Sequence, residues 1–499
     1  MPINFIPNDP AADAGAPPMR RKNPRLDRPA SRSSFTLTGA SPEDIFAPGT
    51  PEFLFWQCRE AALAAVEAYE ACAGNHTRWQ GNRRKLPLGQ DEGVDLNAGY
   101  GRGGFEFFHQ TVGGTTFFSA ASTDVVSHEV GHGLLDSLRP EFFGANLLEV
   151  GAFHEAFGDC IAILTAIEDL DTRQALLAAT ADLRQRNFVE STAENLSDGI
   201  RAFRPTSNAA EARHALNTLK FQLPTSLPVN GGPGVLINEE HSFGRIFSGG
   251  FWDLIANLFG AAAPKNEATL LSAARVAGKL LIEAAKVAVV APRFLQAIGR
   301  SMVLADQTLN GGANGLHIRN AFQAHDIMLG TSAMLAPTMA LAGTAPRGAA
   351  LGPATRRDLS RRLGGGRGAR LSMAASDVFG TRVVEAVQTR DVPLGVLDSS
   401  LRGVVAIAHE PVMVGGSGGR AAVMGMMPHV EDTDSEVQSF VKSLLEHDRI
   451  DLGKKKKKSL VASEEDARPT HAVKKVGNKK VLERIRFQCR CLGCSQVVR

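Results

Sequence analysis

Two imidazoles four residues apart, in His128-Glu129-Val130-Gly131-His132, constrain this chain more than any other feature. On a helix, residues i and i+4 lie one above the other on a single face, so the two rings converge with Glu129 between them. That is metal-ligand spacing. Zinc at a catalytic site takes three protein ligands and keeps a fourth position for water, so a third ligand has to come from elsewhere. Continuing the pattern as His-x-x-Gly-x-x-His would supply it, but Leu135 and Leu138 stand at those places, which excludes the metzincin arrangement. Instead, Gly151-Ala152-Phe153-His154-Glu155-Ala156-Phe157-Gly158-Asp159 offers Glu155 as ligand, with Asp159 one turn later on the same face. A ligating imidazole donates its second N–H to a carboxylate, and Asp159 is spaced to receive it from His128 or His132. Gly158 lets the two helices approach closely.

The surrounding pattern predicts the elements that carry these residues. Ser122 or Thr123 caps a helix that runs to about Leu138, where Pro140 prevents continuation. Asn146 followed by Glu149 resembles a capping arrangement for a second helix reaching about Ile167. Upstream, Pro51 to Ala73 has helical periodicity, and Val94 to Ser119 has the Gly-punctuated apolar pairs of short strands. After a polar loop region from about Thr192 to Gly234, helices dominate to Met328. The fold class is therefore α+β, passing from a mixed first half to a nearly all-α second half.

A length of 499 residues exceeds what one core organises, and 43% hydrophobic with 21% charged residues is ordinary globular composition. Residues 1–35 are expected as a flexible arm, 36–165 as the mixed α/β half with the site helices, and 166–330 as the mainly helical half. Residues 331–374 read as a Gly/Arg-rich linker around Gly364-Gly365-Gly366-Arg367, 375–450 as a small appended α/β unit, and 451–499 as a Lys-rich tail.

A net charge of +3 is too small for the whole molecule to bind polyanions, although basic residues crowd the C-terminus. Lys454 to Lys458 could meet nucleic acid or another anionic surface by counterion release. No aromatic side chain interleaves with them, which favours a solvated tail. Three of the six cysteines, Cys489, Cys491 and Cys494, sit in the last eleven positions, one short of a four-ligand zinc site, with His471 the nearest histidine. The others suit a buried, reduced state. No apolar run follows the basic patch Arg20-Arg21-Lys22, and no stretch approaches a membrane span, so no secretory signal and a cytoplasmic location are expected, with export by another route left open.

The residues Thr115-Thr116-Phe117, Asp124 to Glu129 and Gly151 to Glu155 together resemble the thermolysin family of zinc metalloendopeptidases, most strongly over about Gly113 to Ile167. The resemblance implies a two-domain core, mixed α/β against all-α, with a zinc cleft between and peptide or protein as substrate. It implies Glu129 as the general base acting on the attacking water, and Asn97 with Ala98 as an edge that pairs with substrate backbone. His241 resembles the histidine that stabilises the tetrahedral intermediate, and Arg201, with Arg204 as rival, resembles the arginine that holds a substrate carbonyl. Two departures stand out. The tyrosine usual nine positions before the third ligand is Asn146 here, and of the family's calcium cluster only Asp124 has a clear match. The expected activity is zinc-dependent endopeptidase cleavage. The alternative is a zinc-binding fold of weakened turnover that serves as a peptide-binding or scaffold protein: the missing tyrosine favours it and the intact Glu129 opposes it.

Overall fold

The computed structural model describes residues 1–329, 370–426, 433–453 and 468–489, apart from 14, 181, 289, 379, 380, 418 and 419. Its architecture is mixed α+β. The chain opens with β1 (Ile3–Phe5), paired antiparallel with β2 (Arg20–Lys22), and continues into β3 (Ser34–Leu37). This stretch was expected to be a flexible arm; it is instead laid along α1 (Pro51–Ala73). Charge complementarity explains the difference. Lys22 and Arg25 reach Glu60, Arg28 and Arg32 reach Glu70, and Gln57 bonds both the N–H and the carbonyl of Ile6. The arm's basic residues, which looked like solvated charge, are partners for acids on α1.

Five short strands follow: β4 (Lys85–Gly89), β5 (Ala98–Gly101), β6 (Gly104–Phe107), and a hairpin of β7 (His109–Val112) with β8 (Thr115–Phe118). Then come α2 (Thr123–Leu138), α3 (Pro140–Phe143), α4 (Leu148–Glu168) and α5 (Leu170–Ala179). Ser122 caps α2, its Oγ accepting from the Val125 N–H, and Pro140 opens α3. The capping expected at α4 is absent. Leu147 is the N-cap without a side-chain bond, while Glu149 turns inward to the backbone N–H groups of Arg293 and Leu295. By length and composition α4 could cross a membrane, but all of that apolar stretch is buried inside the protein, as a central core helix is.

The next segment holds β9 (Ser191–Thr192), α6 (Glu194–Phe203) and β10 (Arg213–His214), with β10 antiparallel to β9. Helices α7 (Glu240–Ala261), α8 (Glu267–Val287) and α9 (Phe294–Asn310) then pack around α4, α10 (Gly315–Gln323) packs on α7 and α9, and aromatic rings of Phe153, Phe247, Phe294 and Phe322 meet edge to face or tilted between them.

The Gly/Arg-rich stretch taken as a linker lies almost wholly outside the described residues. Beyond it, β11 (Arg370–Val378), β12 (Thr381–Pro393), β13 (Val404–Ser417) and β14 (Arg420–Met426) form antiparallel pairs, followed by α11 (Thr433–Glu446) and β15 (Ile450–Asp451). The expected Lys-rich tail is folded in part. Residues His471–Val476 (β16) and Lys479–Arg484 (β17) form a hairpin, turning at Gly477 with φ near +60°, and complete a seven-stranded sheet with β11 to β15. Val473 and Leu482, opposite each other across the two strands, share one face with His471 and Arg484, and that face packs against the core while the lysines stay exposed. The Lys454 to Lys458 run, Cys491 and Cys494 lie outside the described residues.

The last described strand, β18 (Arg486–Gln488), returns to the first half of the chain. It pairs antiparallel with β5 and so becomes the outer strand of a five-stranded sheet ordered β18-β5-β6-β4-β3.

Candidate active site

Two glycines let α2 and α4 cross at backbone distance. A Cβ on Gly131 would stand 2.9 Å from Gly158 Cα, and one on Gly158 would stand 2.6 Å from His128 Nδ1. Nothing larger fits at either position. The close crossing sets Glu155 of α4 beside both imidazoles of α2, its Oε2 3.1 Å from His128 Nε2 and 3.6 Å from His132 Nε2. Ligand atoms about 2.1 Å from a tetrahedral zinc are separated by about 3.4 Å, so this spacing fits that ion. His128, Glu129 and His132 are all fully buried and offer ligand atoms within 4.8 Å of one another.

The polar atoms facing this point have no protein partner: His132 Nε2, Glu155 Oε1 and both Glu129 oxygens. Burial of that kind costs free energy unless a cation or water completes the site. The protonation states agree with a cation there. Burial holds His132 down at about 4, neutral and with a lone pair to give. Burial and Arg213 work against a charged His128, yet hydrogen bonds to Asp159 and Glu155 raise it to about 9, so positive charge is favoured at the place a metal would put it. Burial opposes ionisation of Glu155 too, but His241 and His132 hold it well below the usual carboxylate range. Asp159, 2.9 Å from His128 Nδ1, is likewise kept ionised, by Arg213 first. Glu129 differs. Burial dominates over His128 and pushes its carboxyl up to about 7.

Around this centre the structure brings in His241, at the start of α7, with Nε2 3.1 Å from Glu155 Oε2. Its Nδ1 is 2.6 Å from Glu239, the N-cap of the same helix. Glu239, two residues before His241, therefore orients it. Asn97 and Ala98 are buried at the start of β5, and Asn97 Oδ1 accepts from the Ala98 N–H. His132 Nδ1 lies 3.2 Å from Nδ1 of His154, a neighbour that spacing alone did not mark as part of the site.

Arg201 is not at the site. Its side chain is 55% exposed and spends its donors on Asp198 and the Ala210 carbonyl, while Arg204 stacks on Phe203. The arginine in the cleft is Arg213, whose Nε donates to Asp159 at 3.0 Å and whose Nη2 lies 3.3 Å from His128 Nδ1. It sits on the two-residue strand β10 inside a loop region, where no periodicity marks it. Asn146 is buried, but its Nδ2 donates to the Leu482 carbonyl of β17 at 3.4 Å, so the position of the family tyrosine is committed to the C-terminal unit. A second acidic group gathers Asp9, Asp124 and Glu194, all buried, with ligand oxygens within 4.8 Å; Asp9, from the N-terminal arm, is the partner that the calcium expectation lacked.

Residues 108–333 match the family model of the fungalysin metallopeptidases (M36), which are thermolysin-like gluzincins. The chain is a zinc-dependent metalloendopeptidase. The matched stretch of this peptidase contains α2, α4, β10 and the start of α7, and so every candidate site residue named above except Asp9, Asn97 and Ala98. No curated protein matches the chain.

Proposed function

We propose that peptide bonds are hydrolysed between the β3 to β8 region on one side and α6, β10 and α7 on the other, with His128 Nε2, His132 Nε2 and Glu155 holding zinc. Bound there, zinc supplies a Lewis acid that polarises a carbonyl and lowers the pKa of water. The chain's own residues do the rest. Glu129, buried and without a partner, takes a proton from the attacking water and delivers it to the leaving nitrogen, a task suited to a carboxyl raised to about 7. His241 donates from Nε2 to the oxygen that gains charge, because Glu239 at Nδ1 fixes which ring nitrogen faces the cleft. Arg213, braced by Asp159, holds the next carbonyl of the substrate. The edge of β5 at Ala98, paired with β18 in this structure, is where substrate backbone adds, as an extended peptide adds to a sheet.

The observation that carries this reading is the orphaned carboxylate of Glu129 beside a closed set of three ligand atoms. Elemental analysis of the purified chain should find about one zinc per chain, and zinc-dependent cleavage of peptide, the chain's own backbone included, should vanish on chelation. A folded protein that cannot be loaded with zinc would refute it.

A further inference from the structure

Substrate backbone has a place in this cleft, and the chain's own C-terminal segment lies in it. Strand β18 pairs antiparallel with β5, matching Arg486 to Gly101, Phe487 to Tyr100 and Gln488 to Gly99, and the Cys489 N–H continues the ladder to the Ala98 carbonyl at 2.9 Å. Gly99 eases that approach, since a Cβ there would stand 3.0 Å from the Phe487 carbonyl, a tight contact. The contacts also give a direction. The Gln488 carbonyl lies 2.6 Å from His241 Nε2, and the next carbonyl, that of Cys489, accepts from Arg213 Nη1 at 3.1 Å. The peptide bond between the two polarising groups is Gln488–Cys489.

The side chains are seated as well. Phe487, 1% exposed, stacks on His132 and His154 with ring centroids 4.6 and 4.2 Å away. Gln488 Oε1 accepts from Arg449 Nη1 at 2.6 Å, and Cys489 lines a pocket together with Leu196, Ser197, Asn208, Ala209, Arg213 and His241. The buried pair of Arg484 with Glu240 anchors the strand just upstream. A surface strand pairing by chance would not align its carbonyls with His241 and Arg213 in turn.

We propose that the Gln488–Cys489 bond is the first substrate of this cleft, hydrolysed within the same chain. Water oxygen bonds to the Gln488 carbonyl carbon, the bond to the Cys489 nitrogen breaks, and Glu129 carries a water proton to that nitrogen. The products are a chain ending in the Gln488 carboxylate and a peptide beginning at Cys489. This rests on the peptidase reading of the cleft.

The test adds zinc to the chelated full-length chain and follows its intact mass, beside cleavage of a mixed peptide library. The expected result is loss of residues 489–499 at a rate independent of protein concentration, with Glu129→Gln and Cys489→Pro both remaining intact; proline removes the N–H bonded to Ala98. A cut that speeds up with protein concentration, or falls at another bond, overturns the proposal. A chain that keeps its mass but cleaves library peptides overturns it and leaves the peptidase reading standing. Library cleavage seen only in Phe487→Asp, with no self-cleavage in wild type, also overturns it, in favour of an uncut inhibitory strand. No cleavage of any kind by zinc-loaded wild type or Phe487→Asp removes both readings.

Discussion

Glu129 and Asp159 are carboxylates within one buried site, yet their surroundings drive them to different tasks. Asp159 faces Arg213 and His128 and stays ionised, whereas Glu129 faces burial with no hydrogen-bond partner and is raised to about 7. Glu129→Gln keeps size and hydrogen bonding but cannot accept a proton. It should bind zinc normally and turn over at least about a hundredfold more slowly, and equal rates would remove the general-base role. His241→Ala should likewise keep zinc and lose about a hundredfold in kcat. The two arginines separate sharply: Arg213→Ala should lower kcat/KM by about tenfold or more, the value of a charged hydrogen bond, while Arg201→Ala should change it by less than about twofold. Comparable losses in both would restore Arg201. The meeting of His128, His132 and Glu155 was legible because helical spacing fixes which side chains share a face. Arg213 was not, because its partner Asp159 is far away in sequence and its strand is two residues long.

At the level of elements, α2 was readable to its ends from Ser122 and Pro140, while the start of α4 was misread because Glu149 does something other than cap. It accepts from the Arg293 and Leu295 N–H groups, pairs with the Arg293 side chain, and through Arg293 meets Glu436 of α11. Burial outweighs Arg293 and pushes the Glu149 carboxyl up to about 7. The unfolded chain releases this proton near 4.5 and the folded chain only near 7, so the folded state holds more protons between those values. Stability from this group should therefore fall as pH rises from about 4.5 to about 7. Thermal melts should show Glu149→Gln flattening that decline while retaining zinc. Glu155→Ala should instead lose the metal, since three ligands are needed to hold it. Metal retention by Glu155→Ala would mean that the third ligand lies elsewhere. The β16–β17 hairpin escaped sequence reading for a related reason: lysine density suggested solvated charge, whereas the pattern needed for one buried face lay in the few residues between.

Across the whole molecule, distant segments complete what the central helices begin. The N-terminal arm delivers Asp9 to Asp124 and Glu194, and burial raises the carboxyls of Asp9 and Glu194 well above their usual range. Three such groups are stable together only when protons or a cation offset their repulsion. Calcium added to the chelated protein at neutral pH should raise Tm, and Asp9→Asn should abolish the increase; a Tm indifferent to calcium would leave the cluster to protons alone. At the other end, β18 completes the five-stranded sheet beside β5, and that pairing has a temporal side. Roughly 400 residues separate Ala98 from Cys489, which is about 20 to 80 seconds of ribosomal synthesis at about 5 to 20 residues per second. Through that interval the nascent chain holds the edge of β5 without its final strand, an open template for any extended segment nearby. The order of synthesis thus delivers the segment that closes the cleft long after the edge it pairs with.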